Sequence, residues 1–236
     1  MSRATVNDLR ISIVVPVLDE AAGIAGALAP LQALRARGHE VIVADGGSAD
    51  RTMALARPLA DRVLAAPRGR AAQMNAGAAA ASGTALLFLH ADTWLPVDAD
   101  ELIARALQSS DWGRFDVRID SSSRLLAVVA AMMNWRSRLT GIATGDQAIF
   151  ASREAFERVG GYPQIALMED VALSARLKRH AAPACLEQKV LTSGRRWERN
   201  GAWGTIALMW RLRLQYFCGA DPERLARAYR ASSRQT

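Results

Sequence analysis

Four times between residues 11 and 108, a short run of β-branched and aliphatic residues gives way to a longer stretch rich in Ala and Leu. The short apolar runs predict buried strands, and the longer stretches predict helices. Their alternation predicts parallel strands joined by crossover helices, hence an α/β fold whose mostly parallel sheet is flanked by helices. The expected strands are residues 11–17, 40–44, 62–65 and 85–90, and the helices after them are 21–36, 51–59, 71–81 and 98–108. Asp50 is placed to cap the second helix, and Asp98 with Glu101 has the spacing of a capping box on the fourth.

Beyond residue 110 the pattern is less regular. Residues 112–119 alternate like a strand with one solvated face, 125–139 read as a helix and 147–151 as a strand. Gly160-Gly161-Tyr162-Pro163 reads as a turn, a strand precedes Arg195, and helices are expected at 168–179, 202–218 and 222–231. No internal repeat or linker divides the 236 residues, which predicts one domain.

Composition narrows the function classes. Half of the residues are hydrophobic and 22% are charged, which excludes disordered and collagen-like chains. The longest wholly apolar run, from Leu125 to Met133, is about half the roughly 18 residues a spanning helix needs. The start MSRATVNDLR has no apolar signal core, so the expectation is a cytoplasmic protein. Cys185 and Cys218 lack metal or redox spacing and predict two buried free thiols. The net charge is +7, and all but two of the 30 Lys and Arg residues are Arg. The planar guanidinium grips phosphate bidentately, which points to nucleotides or anionic lipid. The arginines are scattered, without a dense tract or an interleaved aromatic motif, so no nucleic-acid partner is expected.

The chemistry gathers where strands end, which is where parallel α/β sheets bind ligands. Asp19-Glu20 follows the first strand, Asp45 the second and His90-Ala91-Asp92 the fourth. Three neighbouring acidic strand ends repel one another unless cations, or donors such as ribose hydroxyls and base N–H groups, sit between them. This pattern predicts a metal-dependent nucleotide site.

The segments ISIVVPVLDE from Ile11, VADGGSAD from Val43, Gly145-Asp146-Gln147 and Glu169-Asp170 resemble a family 2 glycosyltransferase of GT-A fold. GRAAQMNAG from Gly69, LFLHADTWLP from Leu87, Gly160-Gly161-Tyr162-Pro163 and Met168-Glu169-Asp170 resemble a narrower group. Those are the transferases associated with radical-SAM and selenodomain proteins, often linked to arsenosugar pathways. The similarity runs from about Ile11 to Tyr229. It implies a single GT-A domain, with a nucleotide-binding half at about 11–118 and an acceptor half with C-terminal helices at about 119–236.

The resemblance implies a role for each matched residue. Pro16 and Glu20 line the nucleotide pocket, and Asp45 accepts hydrogen bonds from a uracil or guanine imide; the plain alternative for Asp45 is a turn residue before Gly46-Gly47. Arg70 approaches base or diphosphate, and Asn75 holds a loop or a ribose. Asp92 takes the last place of the family's DxD and ligates Mn²⁺ or Mg²⁺, while His90 departs from a strict DxD and is either a further ligand or a nearby hydrogen-bonding group. Asp170, with Glu169 beside it, supplies the base of an inverting transfer. Both stand at the positive end of a helix, which favours ionised carboxylates. Gly145, Asp146 and Gln147 line the acceptor side. Arg195, Arg196 and Trp197 resemble the basic-aromatic segment that closes over a donor diphosphate.

The expected function is therefore hexosyltransferase-like: a sugar moves from a UDP- or GDP-linked donor to a hydroxyl of a small-molecule or lipid-linked acceptor, assisted by a divalent cation. The helix near 205–217 is apolar on most sides, which suits burial, a homodimer contact or the inner face of a membrane. Two rivals differ in class. A sugar-phosphate nucleotidyltransferase calls for a Gly-rich triphosphate loop after the first strand, where Pro16 to Glu20 stand instead. A non-catalytic basic membrane or nucleic-acid binder leaves Asp45, Asp92 and Asp170 without a purpose.

Overall fold

The computed structural model describes residues 9–195, 197 and 201–232. Its strands are β1 (Ile11–Val17), β2 (Glu40–Asp45), β3 (Arg62–Ala65), β4 (Ala85–Phe88), β5 (Thr93–Trp94), β6 (Trp112–Asp120), β7 (Phe150–Ser152) and β8 (Ala184–Ser193). The helices are α1 (Ile24–Leu28), α2 (Gln32–Ala36), α3 (Thr52–Ala56), α4 (Arg70–Ala80), α5 (Ala99–Leu107), α6 (Arg124–Thr140), α7 (Arg153–Arg158), α8 (Glu169–Lys178), α9 (Ala202–Phe217) and α10 (Pro222–Ser232). The strands form one sheet in the order β3-β2-β1-β4-β7-β6-β8-β5. β1 to β4 are mutually parallel, β6 is parallel to β8, and β7 and β5 run against their neighbours.

Period-two alternation sends successive side chains to opposite faces of this sheet. Ile11, Ile13, Val15 and Val17 of β1 and Leu87 of β4 enter one core with Ile24, Leu28 and Ile103. Val14, Leu86 and Phe88 enter another with Met74, Phe156, Tyr162 and Leu173. The second core fixes α4 against β1 so closely that a methyl group on Gly77 would come within 2.3 Å of Val14 Cγ1. Phe88 packs edge-on against Tyr162 at a ring distance of 4.9 Å. Both cores therefore converge on β1 and β4, whose ends carry the site.

Several local expectations are corrected. The helix expected at 21–36 is broken by a 3₁₀ turn at Ala29–Leu31, where Pro30 removes an N–H donor. Asp98 caps α5 by position without a side-chain hydrogen bond, so the capping box with Glu101 is not formed. The strand expected at 147–151 begins only at Phe150, because Gly145–Gln147 forms a 3₁₀ turn. β6 is buried on both faces from Trp112 to Val117, not wet on one. Its buried polar residues are paired: Asp116 is gripped by the fully buried Arg114 and, at 2.7 Å, by Arg138. The two cysteines are free, yet Cys185 is half-buried and Cys218 exposed rather than buried.

The C-terminal helices bring a third core. Met168 and Val171 pack with Leu212 of α9 and Leu225 of α10, which places both helices beside the start of α8. The opposite face of α9 presents Trp203, Trp210, Leu214 and Phe217 to solvent, each at least 64% exposed. On α6, Val128, Met132, Trp135 and Leu139 form a similar exposed stripe at helical spacing. Among the described residues, no helix is long and apolar enough to cross a membrane.

Candidate active site

A cavity of about 870 Å³ opens beyond the carboxyl ends of β1 and β4, walled by Pro16, Glu20, Arg70, Gln73 and Asp92 among others. A smaller one of about 120 Å³ is walled by Thr144, Gly145, Asp146, Asp170, Trp197 and Arg213 among others. Arg70, His90, Asp92, Leu167, Glu169 and Tyr229 face both, so the two are parts of one cleft with these six at its waist. The larger volume matches the roughly 300–1,000 Å³ of small-molecule sites.

The loops after β1 and β2 brace one another at the rim. Asp19 has φ of 52°, a left-handed conformation that Asp tolerates when its side chain finds local donors. Its N–H donates to Ser48 Oγ at 2.9 Å, and its Oδ1 accepts from Ala49 N at 2.7 Å. Glu20 N donates to Thr52 Oγ1 at 2.8 Å, and Ala21 N donates to Asp50 Oδ2 at 3.0 Å. Beneath them the buried Gln73 amide donates to the carbonyls of Val17 and Ala44, at 2.7 and 2.9 Å, and ties the ends of β1 and β2 together. These bonds occupy backbone groups and leave the Glu20 carboxylate on the cavity wall.

On the far side, α8 enters the cleft through Met168, whose φ is 68°. The turn before it is held by Asn75: its Nδ2 donates to Tyr162 O at 2.8 Å, and its Oδ1 accepts from Tyr162 N at 2.9 Å. Asp170, on the first turn of α8, accepts from Gly145 N at 2.7 Å through Oδ2 and from Val171 N at 2.7 Å through Oδ1. The carboxylate is thus oriented by two backbone donors while lining the cleft. Gly145 is needed for contact as well: a methyl group there would lie 2.4 Å from His90 Cε1 and 2.6 Å from its Nε2. The His90 ring also approaches Asp146 Oδ1, at 3.4 Å from Nδ1.

Charge is unevenly distributed over the walls. Burial, and then the neighbouring Asp92 carboxylate, raise the pKa of Glu20, while Arg195 and Arg70 pull it down. Glu169 is buried, and burial followed by the adjacent Asp170 charge raises its pKa, against the pull of Arg70 and His90. Arg70 therefore favours the ionised form of both acidic groups. Among the described residues, no three His, Cys, Asp or Glu groups come together to hold a metal on protein ligands alone. Carboxylates on the wall of an open cleft, with too few protein donors for a closed cage, suit a hard divalent cation completed by ligand oxygens.

Not every expected residue reaches the cleft. Asp45 is buried at the end of β2, where its carboxylate accepts from Gly47 N at 3.0 Å, Ser48 N at 2.9 Å and Ser48 Oγ. Asn75 holds the Tyr162 turn. Gln147 is fully buried, with its amide oxygen 3.2 Å from Thr144 N. Arg195 is exposed, with Nε donating to Ser193 Oγ at 3.0 Å, and Trp197 lines the smaller cavity. Arg196 lies outside the described residues. The sequence had assigned no role to Gln73, Thr144, Met168, Arg213 or Tyr229, which the fold brings to the cleft or its support. Gln73 and Met168 carried a local signal, as members of the motifs GRAAQMNAG and Met168-Glu169-Asp170.

Residues 12–149 match the family described as Glycosyl transferase family 2. S. aureus TarS 1–349 in complex with UDP-GlcNAc is similar in structure, with a TM-score of 0.63, 16% identity and coverage of 78% of this chain and 58% of that one. The mannosyltransferase PcManGT from Pyrobaculum calidifontis, in complex with GDP-Man and Mn²⁺, gives a TM-score of 0.58 and 21% identity, over 78% of this chain and 56% of that one. Glucosyl-3-phosphoglycerate synthase from Mycobacterium tuberculosis, with Mn²⁺, UDP and glucosyl-3-phosphoglycerate, gives 0.60 and 20%, over 77% and 70%. No curated protein matches the chain. The chain spans about three fifths of the TarS fragment, at 61% and 58% in two of its structures.

Proposed function

Because the chain belongs to glycosyl transferase family 2 and has the GT-A fold, we propose that it transfers a sugar, with inversion, from a UDP- or GDP-linked donor to a hydroxyl of a small-molecule or lipid-linked acceptor. The observation that carries this reading is the two-part cleft. Glu20, Arg70 and Asp92 line its larger part, and Asp170, oriented by Gly145 N, lines its smaller part.

In this reading the donor lies in the larger cavity, over Pro16 and beside Glu20, with Arg70 and Arg195 toward its diphosphate. Asp92 holds the divalent cation, Mn²⁺ or Mg²⁺, with His90 at its side. A bound cation neutralises charge that grows on the departing diphosphate. Asp170 takes the proton of the acceptor hydroxyl as that oxygen attacks from the face opposite the nucleotide. Glu169 adds a buried negative charge close to Arg70, and Gly145 and Asp146 border the acceptor. Asp45 acts as the turn residue that shapes the loop after β2. The motifs around Gly69, Leu87 and Met168 support membership of the arsenosugar-linked group. The exposed stripe on α9 supports contact with a membrane surface or a second copy of the chain.

The reading is tested by melting the protein with UDP, GDP, TDP or CDP, with and without Mn²⁺. A ligand at 100 times its dissociation constant adds about 2.7 kcal/mol. One diphosphate should stabilise far more than the others, only with the cation, and Asp92→Ala should remove that cation dependence without lowering the melting temperature of the free protein. Stabilisation that ignores the cation, or that survives in Asp92→Ala, overturns the assignment.

A further inference from the structure

The smaller cavity has one guanidinium on its wall and a second close to it. Arg213 of α9 lines its wall. Arg136 of α6 stands near enough for the two guanidinium charges to oppose each other. Nε and Nη2 of Arg136 and Nε of Arg213 are buried, and no hydrogen-bond acceptor reaches any of them. Burial, and then the repulsion from Arg213, depress the Arg136 pKa to about 10. Arg114 repels it as well, and Asp170 attracts it. Arg114 is matched by Asp116, and Asp170, whose charge attracts Arg136, already accepts from two backbone N–H groups.

Buried guanidinium nitrogens without an acceptor are costly, and an added oxyanion would supply the acceptors that these three lack. The wall also carries Leu167, Met168, Val171 and Met209, together with Arg70, His90 and the carboxylates of Asp92, Asp146, Glu169 and Asp170. With a volume of about 120 Å³, the space admits a small group rather than a nucleotide.

We infer that Arg213, backed by Arg136, binds an oxyanion of the acceptor, a phosphate or a carboxylate, and so sets the acceptor hydroxyl against Asp170. The proposal rests on the transferase reading and specifies its acceptor: an anionic molecule with a hydroxyl, not a neutral sugar or a plain alcohol. Arg213 and Arg136 act as specificity residues, since the fork of donors matches a planar or tetrahedral oxyanion.

The test is calorimetric titration of the whole chain, saturated with UDP and Mg²⁺, with inorganic phosphate in one arm and sodium acetate in another, at constant ionic strength. Saturable binding in either arm is expected, and the tighter arm names the oxyanion. Arg213→Gln should weaken it roughly 10- to 100-fold, the scale of a hydrogen bond to a charged group, with UDP affinity unchanged. Arg136→Met should also weaken it, while melting no lower than the parent because an uncompensated cation has gone. Absence of binding in both arms, equal binding by Arg213→Gln, or competition between phosphate and UDP would each overturn the proposal. A clear fall in melting temperature for Arg136→Met with phosphate binding retained would do the same. If UDP fails to bind the parent, the transferase reading fails separately, and phosphate titration of the free parent and Arg213→Gln proteins still decides the anion site.

Discussion

Gly145→Ala is the sharpest probe of how the two halves of the cleft are joined. A methyl group at this position would lie 2.4 Å from His90 Cε1 and 2.6 Å from Nε2, whereas carbon atoms in contact need about 3.5–4.0 Å. The φ of Gly145 is not positive, so the substitution adds no backbone strain and acts by contact alone. Either the His90 ring or the 145 backbone must move by about 1 Å to restore contact distance. Overpacking of this kind costs about 1–3 kcal/mol, or roughly 2–4 °C of melting temperature per kcal/mol in a chain of this size. A shift of the 145 backbone also loosens the 2.7 Å bond from its N–H to Asp170. A misplacement of about 1 Å can cost 10²-fold in rate. The assay is a double-mutant cycle with His90→Ala, scored by melting temperature and by transfer. Gly145→Ala should be harmful in the parent and nearly neutral when His90 is already Ala, giving a coupling of about 1–3 kcal/mol. Additive effects, or a Gly145→Ala variant that melts and transfers like the parent, would refute the contact argument.

Three further outcomes are expected. Asp170→Asn should keep the fold and the affinity for UDP but lower transfer roughly 10²- to 10⁴-fold, the scale of a lost general base; product with retained anomeric configuration would count against the mechanism even so. Asp45→Ala should lower stability by about 1–3 kcal/mol, because three donors at Gly47 and Ser48 lose their acceptor. Because its carboxylate is turned into this loop, uridine, guanosine and adenosine nucleotides should weaken equally, and a selective loss of uridine and guanosine would show instead that Asp45 reaches the base. For Glu40, burial by itself raises the pKa, but bonds from Ser12 and Ser82 bring it below the ordinary 4.5. The stability it contributes is present above about pH 4.5, where the unfolded chain is ionised, and is lost as pH falls through the lower folded value. Melting curves of the parent and Glu40→Gln should therefore converge on acidification, and parallel curves would remove Glu40 from the acid response.

Much of the fold was legible because it is written locally. The run ISIVVPV needs only its own composition to become a strand buried on both faces, and Asp19, Glu20 and Asp92 follow such runs directly, so their arrival at one edge of the sheet follows from parallel connection. Four helices of the second half were legible for the same reason, while α7 was not expected. The order of the sheet was not. β7 runs antiparallel to both β4 and β6, and β5 pairs with β8 through contacts such as Thr93 with Thr192, separated by 99 residues. Such pairings depend on which edges remain free once the first strands have assembled. Burial on both faces of β6 was likewise invisible, since Arg114 and Asp116 read as solvated residues until they are seen neutralising each other in the core.

The site divides along the same line. By itself the sequence determined which carboxylates stand at strand ends and that a Glu-Asp pair opens a helix, because both depend on neighbours a few residues away. Only the tertiary structure decided what those groups face. It turned Asp45 into its own loop and spent Asn75 on Tyr162, and it set Gly145 against His90 and Asp170. It also brought Arg136 and Arg213, 77 positions apart in sequence, near enough for their charges to oppose each other. Periodicity records whether a side chain is buried, whereas the partner it meets is chosen by packing between elements that the chain brings together only when folded.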